Sequence, residues 1–267
     1  MLHEIMSVTS CDGHIINLRI YRPAEALDPL PVLYWMHGGG YVMGSARQGD
    51  LFTLRAASEL GMLAVSVEYR LAPETPYPGP LEDCYEGLAH LAANAGALNL
   101  DADRIIIGGV SAGGGLCAGL ALLVRDRGAI SLLGQLLLYP MIDDLNVAPA
   151  SETHADTLVW TRAANLFGWQ SYLGDLHGGD NIPICAAPAR AADLSGLPPT
   201  YLPVGDLDLF LEENIAYARN LTRGGTPTHF HIFPGAYHGF NAFAPEAPVS
   251  AACNAEIFSF ISKLLKE

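Results

Sequence analysis

Charged side chains are scarce in this chain, and basic ones are scarcer still. Only 16% of the 267 residues are charged, and 28 Asp and Glu face 14 Lys and Arg, which gives a formal net charge of −14. Because nucleic acids and anionic membrane surfaces repel such a protein, we expect neither as a partner. The acidic excess does not identify a substrate, since solubility alone is sufficient to explain it.

Long apolar runs and closely spaced cysteines are also missing. No uninterrupted apolar stretch is long enough to cross a bilayer, and residues 1–11 lack the apolar run of a signal peptide. The cysteines are odd in number, far apart and without a C-x-x-C pair: Cys11, Cys84, Cys117, Cys185 and Cys253. We therefore expect free thiols and a cytoplasmic location.

The chain is rich in apolar segments that alternate in type. Half of its residues are hydrophobic, which is sufficient for one large domain over residues 1–267. Residues 6–10 and 15–21 flank an Asp-Gly pair and predict an antiparallel hairpin. Buried strands are predicted at residues 32–36, 63–67, 105–107, 136–139, 201–204 and 230–233, and helices at 48–60, 81–94, 114–127, 212–223 and 251–266. This pattern predicts an α/β fold with a mostly parallel sheet, helices on both faces and an antiparallel N-terminal hairpin.

One segment interrupts the alternation. Residues 143–199 are too many for a simple connection, and a helical stretch is predicted at 158–172. The stretch carries four aromatic residues: Trp160, Phe167, Trp169 and Tyr172. They suit a small lid over a site, or an ordinary crossover helix whose aromatic rings belong to the core. We expect the lid.

A G-x-S-x-G pentapeptide, Gly109-Val110-Ser111-Ala112-Gly113, lies between a predicted strand and a predicted helix. Its small residues relieve crowding in a tight turn that exposes the serine hydroxyl. A serine becomes a good nucleophile only beside a base, and the N-terminus of the helix favours negative charge nearby. We interpret Ser111 as a nucleophile rather than as a structural turn residue.

A second glycine run, His37-Gly38-Gly39-Gly40, follows another predicted strand. Without side chains, the N–H groups of Gly38 and Gly39 can approach a reacting carbonyl closely. Together with the N–H of Ala112 they would form an oxyanion hole. A phosphate-binding loop is the alternative, but neither G-x-G-x-x-G nor Gly-Lys-Ser/Thr follows. His37 is expected to brace this loop rather than to transfer protons.

The predicted base is His238, in a loop beyond the last predicted strand and late in the chain. This position fits the order serine, acid, histidine of α/β-hydrolases. The acid should follow a strand between Ser111 and His238. Asp206 and Asp208 both meet that condition, and their spacing does not separate them.

With these pieces the chain resembles the hormone-sensitive-lipase-like family of α/β-hydrolase esterases, from about residue 20 to the C-terminus. The resemblance is carried by His37-Gly38-Gly39-Gly40-Tyr41-Val42-Met43-Gly44, Glu68-Tyr69-Arg70-Leu71-Ala72-Pro73-Glu74 and residues 109–115, 139–144 and 237–240. It implies a Ser-Asp-His triad, no cofactor and hydrolysis of mainly short-chain carboxylic esters. The family's acid begins a stretch of the type Asp-Pro-Leu-x-Asp-Glu. Asp208 begins the matching stretch, so the resemblance favours Asp208 over Asp206.

The chain departs from the family pattern at two places. Val110 precedes the serine, where the family usually has an acidic or hydroxyl residue. The few dozen residues with which relatives build part of a helical cap do not precede the first predicted strand. We therefore expect a reduced cap without an N-terminal extension, over a wider and wetter pocket.

The combined prediction is a carboxylesterase that acts on a small-molecule ester through an acyl-enzyme, without cofactor or metal. The predicted site residues are Ser111, Asp208 and His238 for catalysis, Gly38, Gly39 and Ala112 for the oxyanion hole, and Tyr41, Tyr139, Trp160 and Phe167 for the pocket. An amidase or arylformamidase with the same triad remains an alternative, as does acyl transfer to an alcohol. A non-catalytic small-molecule receptor is a further alternative, against which His238 argues. The last strand and the C-terminal helix offer a sheet edge for a homodimer.

Overall fold

A single sheet runs through the molecule. The structure is a computed structural model, and it describes residues 1–24, 26, 28–146 and 158–266. Its strands are β1 Leu2–Thr9, β2 Ile15–Arg22, β3 Leu30–Met36, β4 Leu63–Glu68, β5 Leu100–Val110, β6 Gly134–Leu138, β7 Thr200–Gly205 and β8 Thr228–Phe233. They lie in the order β1-β2-β4-β3-β5-β6-β7-β8. All neighbours from β4 to β8 pair in parallel, whereas β1 with β2 and β2 with β4 are antiparallel.

The antiparallel part is the N-terminal hairpin of β1 and β2. Its turn closes through a hydrogen bond from the N–H of Ser10 to the carbonyl of His14, and Gly13 there has φ +85°. A residue without a side chain adopts this left-handed conformation at little cost. The turn lies at the carboxyl end of β4, because Asn17 near the start of β2 pairs with Glu68 at the end of β4.

The centre of the sheet is β3, between β4 and β5. Its residues from Val32 to Met36 are almost completely buried, as expected for a parallel strand that is covered on both faces. Met36, at its carboxyl end, pairs with Val67 of β4 and with Gly109 of β5. Since neighbouring parallel strands end at the same edge, the segments that follow β3 and β5 emerge side by side.

Helices cover both faces of the sheet. The described α-helices are α1 Asp50–Leu60, α2 Gly79–Ala93, α3 Ala95–Leu98, α4 Ala112–Arg127, α5 Arg162–Leu173, α6 Leu211–Arg223, α7 Phe240–Phe243 and α8 Pro248–Leu264. The larger apolar cluster contains the buried sides of α2, α4, α5 and α6. The smaller cluster, on the other face, contains those of α1 and α8. The α/β prediction, with its antiparallel hairpin and two helical layers, is confirmed.

The structure differs from the predicted elements mainly in length. Strand β5 begins at Leu100, before the predicted residue 105, and its pairing with β3 shifts register between Leu30 and Val32. Polar residues Asp101, Asp103 and Arg104 interrupt the apolar pattern there, so the pattern predicts only the buried half. The short helices α3 and α7 were not predicted, because four residues carry too little periodicity to be recognised.

The segment between β6 and β7 contains α5, which matches the predicted helical stretch. Residues 147–157 of the predicted lid lie outside the described residues. Trp169 and Tyr172 of α5 are buried in the larger apolar cluster, whereas Phe167 is 56% exposed. The segment thus contributes to the core as well as to the surface. Its function as a lid stays a prediction.

Two general properties concern the described part of the chain. None of its helices has both the length and the apolar character that spanning a membrane requires. All five cysteines are free thiols; Cys84, Cys117 and Cys253 are buried, Cys185 is partly buried, and only Cys11 is exposed.

Two Gly→Ala substitutions test the packing of α4. A Cβ on Gly119 would lie 2.2 Å from the carbonyl oxygen of Cys185, whereas one on Gly96 of α3 would meet no atom within 4 Å. We expect Gly119→Ala to lower the free energy of unfolding by about 1–3 kcal/mol, because two backbones must separate. Gly96→Ala, the matched control, should raise it by about 0.4–1 kcal/mol. Urea unfolding measures both changes, and equal effects of the two variants would contradict this packing.

Candidate active site

Five strands deliver the candidate residues to one edge of the sheet. The glycine run follows β3, Ser111 follows β5, Tyr139 follows β6, Asp208 follows β7 and His238 follows β8. Ligands of such sheets bind outside the carboxyl ends of the strands. The topology therefore brings His37 and His238 to the same edge, although they lie about 200 positions apart in the sequence.

Ser111 occupies a strained turn between β5 and α4. Its backbone has φ 56° and ψ −121°, a region that non-glycine residues rarely adopt. The turn needs glycine on both sides: a Cβ on Gly109 would lie 2.2 Å from the carbonyl oxygen of Gly113, and one on Gly113 would lie 2.3 Å from that of His37. The small residues of the pentapeptide thus permit a turn that larger side chains would block.

Ser111, His238 and Asp208 form one continuous chain of hydrogen bonds. The Nε2 atom of His238 lies 2.9 Å from Oγ of Ser111, and its Nδ1 atom lies 2.9 Å from Oδ2 of Asp208. The exposed fractions are 7% for Ser111, 6% for His238 and zero for Asp208. Because a carboxylate only accepts, Nδ1 carries the proton, and Nε2 is free to accept the proton of the serine hydroxyl.

The two candidate acids are placed differently. Asp208 faces His238, and its other oxygen, Oδ1, accepts a hydrogen bond from the N–H of Phe210 at 2.9 Å. Asp206 is partly exposed, and its Oδ1 accepts from the N–H of Gly235 at 2.6 Å. Asp206 therefore ties two loops together, whereas Asp208 is the carboxylate next to the imidazole.

Two aromatic rings hold the imidazole of His238 from its sides. The ring centroids of Tyr139 and Phe210 each lie 5.0 Å from the centroid of the imidazole. Both contacts are edge to face, with interplanar angles of 74° and 88°. The hydroxyl of Tyr139 donates to Oδ1 of Asn241 at 2.7 Å. This bond joins the end of β6 to α7, directly after the loop that carries His238. Phe210 and Asn241 were not among the predicted residues, because a single aromatic or amide residue carries no motif.

The glycine run lies directly against the serine turn. A Cβ on Gly38 would lie 3.1 Å from the carbonyl oxygen of Val110 and 3.4 Å from Cβ of Ser111. Gly39 and Gly40 have φ +119° and +59°, which favour glycine. A Cβ on Gly38 would crowd the serine turn, and a side chain at Gly39 or Gly40 would strain the backbone, so glycine is favoured throughout the run.

His37 is buried beneath the glycine run. Its Nδ1 atom lies 2.8 Å from the carbonyl oxygen of Gly38, and burial lowers its pKa to about 4. The imidazole is therefore neutral at neutral pH. The predicted bracing role agrees with this contact, since His37 touches the backbone of the loop.

The four predicted pocket residues are in different surroundings. Tyr41 is fully buried, its ring stacks on Tyr172 at 4.0 Å, and its hydroxyl donates to the carbonyl of Met141. The ring of Trp160 lies on Gly40, where a Cβ would come within 2.2 Å of it. Tyr139 touches His238 as described, and Phe167 is largely exposed. Tyr139 therefore lies beside the candidate base, and Trp160 lies beside the glycine run.

A buried carboxylate next to the site was not predicted as functional. Glu213 of α6 accepts hydrogen bonds from the N–H groups of Ile142 and Asp143, at 2.9 and 3.3 Å, and burial raises its pKa. The adjacent Asn214 donates to the carbonyl of Pro140 at 2.9 Å. Both side chains thus fasten the loop after β6 to the helix that follows Asp208. The acidic pair Glu212-Glu213 in the family-like stretch was the available signal.

This arrangement can move a proton from Ser111 to His238 while Asp208 compensates the charge that forms on the imidazole. Within the described ranges, no three His, Cys, Asp or Glu side chains come together in a way that could hold a metal ion. That the protein needs no cofactor stays a prediction.

Comparison of the sequence with known proteins gives one family and many relatives. The model of a family described as having the alpha/beta hydrolase fold matches residues 33–242. The carboxylesterase NlhH of Mycobacterium tuberculosis is 35% identical over 239 residues, which are 88% of this chain and 74% of that protein. The ethyl acetate hydrolase of Pseudomonas putida is 29% identical over 239 residues, with the same shares of 88% and 74%.

Solved structures agree with this assignment. A bacterial heroin esterase is 40% identical with a TM-score of 0.96, over 100% of this chain and 85% of that one. The hyperthermophilic esterase of the archaeon Pyrobaculum calidifontis is 30% identical with a TM-score of 0.92, over 99% and 86%. This chain is a carboxylesterase-type hydrolase, and it belongs to the hormone-sensitive-lipase-like family of α/β-hydrolases.

Proposed function

We propose that the protein hydrolyses short-chain carboxylic esters with Ser111 as nucleophile, His238 as general base and Asp208 as orienting acid. The observation that carries this proposal is the unbroken pair of 2.9 Å contacts from Ser111 through His238 to Asp208. The strained backbone of Ser111 supports it, because such strain persists where the surrounding structure enforces it.

In the proposed mechanism, His238 takes the hydroxyl proton through Nε2 as Oγ of Ser111 attacks the ester carbonyl. The N–H groups of Gly38, Gly39 and Ala112 donate to the oxyanion of the tetrahedral intermediate. The imidazolium then gives its proton to the leaving alcohol, and an acyl-enzyme remains. His238 next deprotonates a water molecule that attacks this ester. Return of the proton to Oγ releases the carboxylic acid.

Two observations support a short acyl group. The indole ring of Trp160 lies on Gly40, so it fills space beside the proposed donor loop. The name of one relative, the ethyl acetate hydrolase of Pseudomonas putida, describes a small ester as its substrate. We infer that Trp160 limits the length of the acyl or alcohol group, and that Tyr139, beside His238, forms another part of the pocket wall. Tyr41 and Phe167 contribute less directly to the pocket.

We also infer a cytoplasmic location, and a homodimer that forms through the β8 edge of the sheet. The free thiols support a reducing compartment. Strand β8 is the outermost strand beside α8, so its edge is available for pairing with a second copy.

Replacing the nucleophile tests the proposal directly. We expect Ser111→Ala to reduce hydrolysis of p-nitrophenyl acetate and butyrate by at least about 10⁴-fold, because no other group forms the acyl-enzyme. Ser58→Ala, on the exposed side of α1, is the matched control and should keep full activity. Esterase activity that survives in a folded Ser111→Ala variant would refute the assignment. Activity on matched anilides but not on esters would instead favour the amidase alternative.

Two Asp→Asn substitutions separate the candidate acids. We expect Asp208→Asn to lower kcat by about 10⁴-fold, because an amide stabilises neither the tautomer of His238 nor its charged form. Asp206→Asn should stay within about threefold of the wild type, since that side chain is partly exposed and only ties two loops. Steady-state rates at saturating p-nitrophenyl butyrate give kcat for both variants. The opposite ranking would assign the role to Asp206.

The proposed limit on chain length is tested with acyl esters of two to twelve carbons. We expect Trp160→Ala to raise kcat/KM for the octanoate relative to the butyrate by about tenfold, in the range of pocket contacts with a few methylenes. Phe167→Ala, at a residue 56% exposed, should change this ratio by less than about threefold. Unchanged ratios in Trp160→Ala would remove Trp160 from the pocket.

A further inference from the structure

One family-like segment, Glu68-Tyr69-Arg70-Leu71-Ala72-Pro73-Glu74, has no place in the mechanism above. Tyr69 follows the end of β4, next to the end of β3. Its ring stacks on the imidazole of His37 with 4.1 Å between centroids and 10° between planes. Only 2% of the residue is exposed, and burial raises its pKa, so the hydroxyl keeps its proton.

The hydroxyl of Tyr69 makes two contacts with one residue. It donates to the carbonyl oxygen of His37 at 2.7 Å, and its oxygen lies 3.2 Å from Nδ1 of the same histidine. Nδ1 also lies 2.8 Å from the carbonyl oxygen of Gly38, which can only accept. One arrangement satisfies every contact: Nδ1 carries the proton of His37 and donates mainly to Gly38, while Tyr69 donates to His37.

These two carbonyls belong to the peptide groups that carry the proposed oxyanion donors. The carbonyl of His37 shares its peptide plane with the N–H of Gly38, and the carbonyl of Gly38 shares its plane with the N–H of Gly39. In a trans peptide the C=O and N–H bonds point in opposite directions, so holding one aims the other. The third donor is fixed in the same way, since the carbonyl of Ser111 accepts from the N–H of Met141 at 3.0 Å.

We propose that Tyr69 is a positioning residue for the oxyanion hole. Its hydroxyl fixes the peptide of Gly38 directly and that of Gly39 through the imidazole of His37. The proposal rests on the proposed function, because it concerns the alignment of donors that the mechanism uses. It goes beyond the bracing role of His37, since it assigns the orientation of that imidazole to a residue outside the glycine run.

The surroundings of Tyr69 allow little movement. The N–H of the next residue, Arg70, donates to Oδ2 of the buried Asp83 at 2.9 Å, and the guanidinium of Arg70 pairs with the same carboxylate. On the other side, a Cβ on Gly44 would lie 2.6 Å from Nδ1 of His37 and from the carbonyl oxygen of Gly38. Packed atoms thus surround these hydrogen bonds and restrict the movement of the imidazole.

The test is Tyr69→Phe, which keeps the stacked ring and removes only the hydroxyl. Tyr34→Phe is the matched control: Tyr34 lies on β3, and its buried hydroxyl has no hydrogen-bond partner among the described residues. We expect Tyr69→Phe to lower kcat for p-nitrophenyl butyrate by about 10- to 100-fold, less than the loss of a whole donor. KM should stay within about threefold, because the interaction strengthens in the transition state. Tyr34→Phe should keep wild-type kinetics.

A thionoester of the same acid separates alignment from general disturbance. Sulfur accepts hydrogen bonds weakly, so a thionoester gains little from aligned donors. The ratio of kcat/KM for the ester to that for the thionoester should therefore fall by about tenfold in Tyr69→Phe and not in Tyr34→Phe. A normal ratio in Tyr69→Phe, with or without loss of kcat, would overturn the proposal.

Two further measurements make the outcome decisive. Incorporating 4-aminophenylalanine at position 69 restores an N–H donor in the same place. It should recover most of the lost kcat and most of the ester-to-thionoester ratio of kcat/KM. Failure to recover either would count against the proposal. Ser111→Ala, assayed in parallel, tests the proposed function itself. Ester turnover that persists in Ser111→Ala refutes the mechanism, whereas Ser111-dependent turnover with a normal ratio in Tyr69→Phe refutes only the role of Tyr69.

Discussion

The close approach of two backbone turns, after β3 and after β5, is the constraint on which the candidate site depends. Met36 pairs with Gly109, so the chain leaves both strands side by side. A Cβ on Gly113 would lie 2.3 Å from the carbonyl oxygens of both Met36 and His37. No side chain fits at position 113, so Gly113 is what allows the run from His37 to Gly40 to lie against Ser111. The distance between the nucleophile and the proposed donors is therefore set by the packing of one backbone against the other.

Buried polar groups around this contact are satisfied by one another. Asp208 is fully buried, and both of its oxygens accept hydrogen bonds, from His238 and from the N–H of Phe210. Glu213, five residues on, accepts from the loop after β6, and Met141 of that loop donates to Ser111. The start of α6, close after the proposed acid, is thus linked to the loop after β6, and that loop contacts the proposed nucleophile. Such groups cost free energy when unpaired, so the network stabilises one arrangement.

The sequence predicted the sheet, its helical layers and the side chains that meet at its edge, because these leave local signals. Apolar runs mark buried strands, and glycines mark turns that a side chain would block. Spacing alone could not separate Asp206 from Asp208, since both follow the same strand. The family resemblance favoured Asp208, and the fold shows that this carboxylate faces His238. The contacts of Tyr69 and Phe210 were equally invisible. Each depends on which strands are neighbours, and that information is not local.

His37 shows why the neutral form of a buried imidazole suits this place. Burial lowers its pKa to about 4, and its single proton is used at Nδ1, beside the carbonyl of Gly38. Nε2 is buried and has no partner among the described residues, so a second proton there would find no acceptor. An unpaired buried acceptor costs about 1–3 kcal/mol, which a fold tolerates where a group serves another purpose. Aiming the peptide of Gly39 is such a purpose. The neutral imidazole already donates to the carbonyl of Gly38, so a charged imidazole would add no further contact with that peptide.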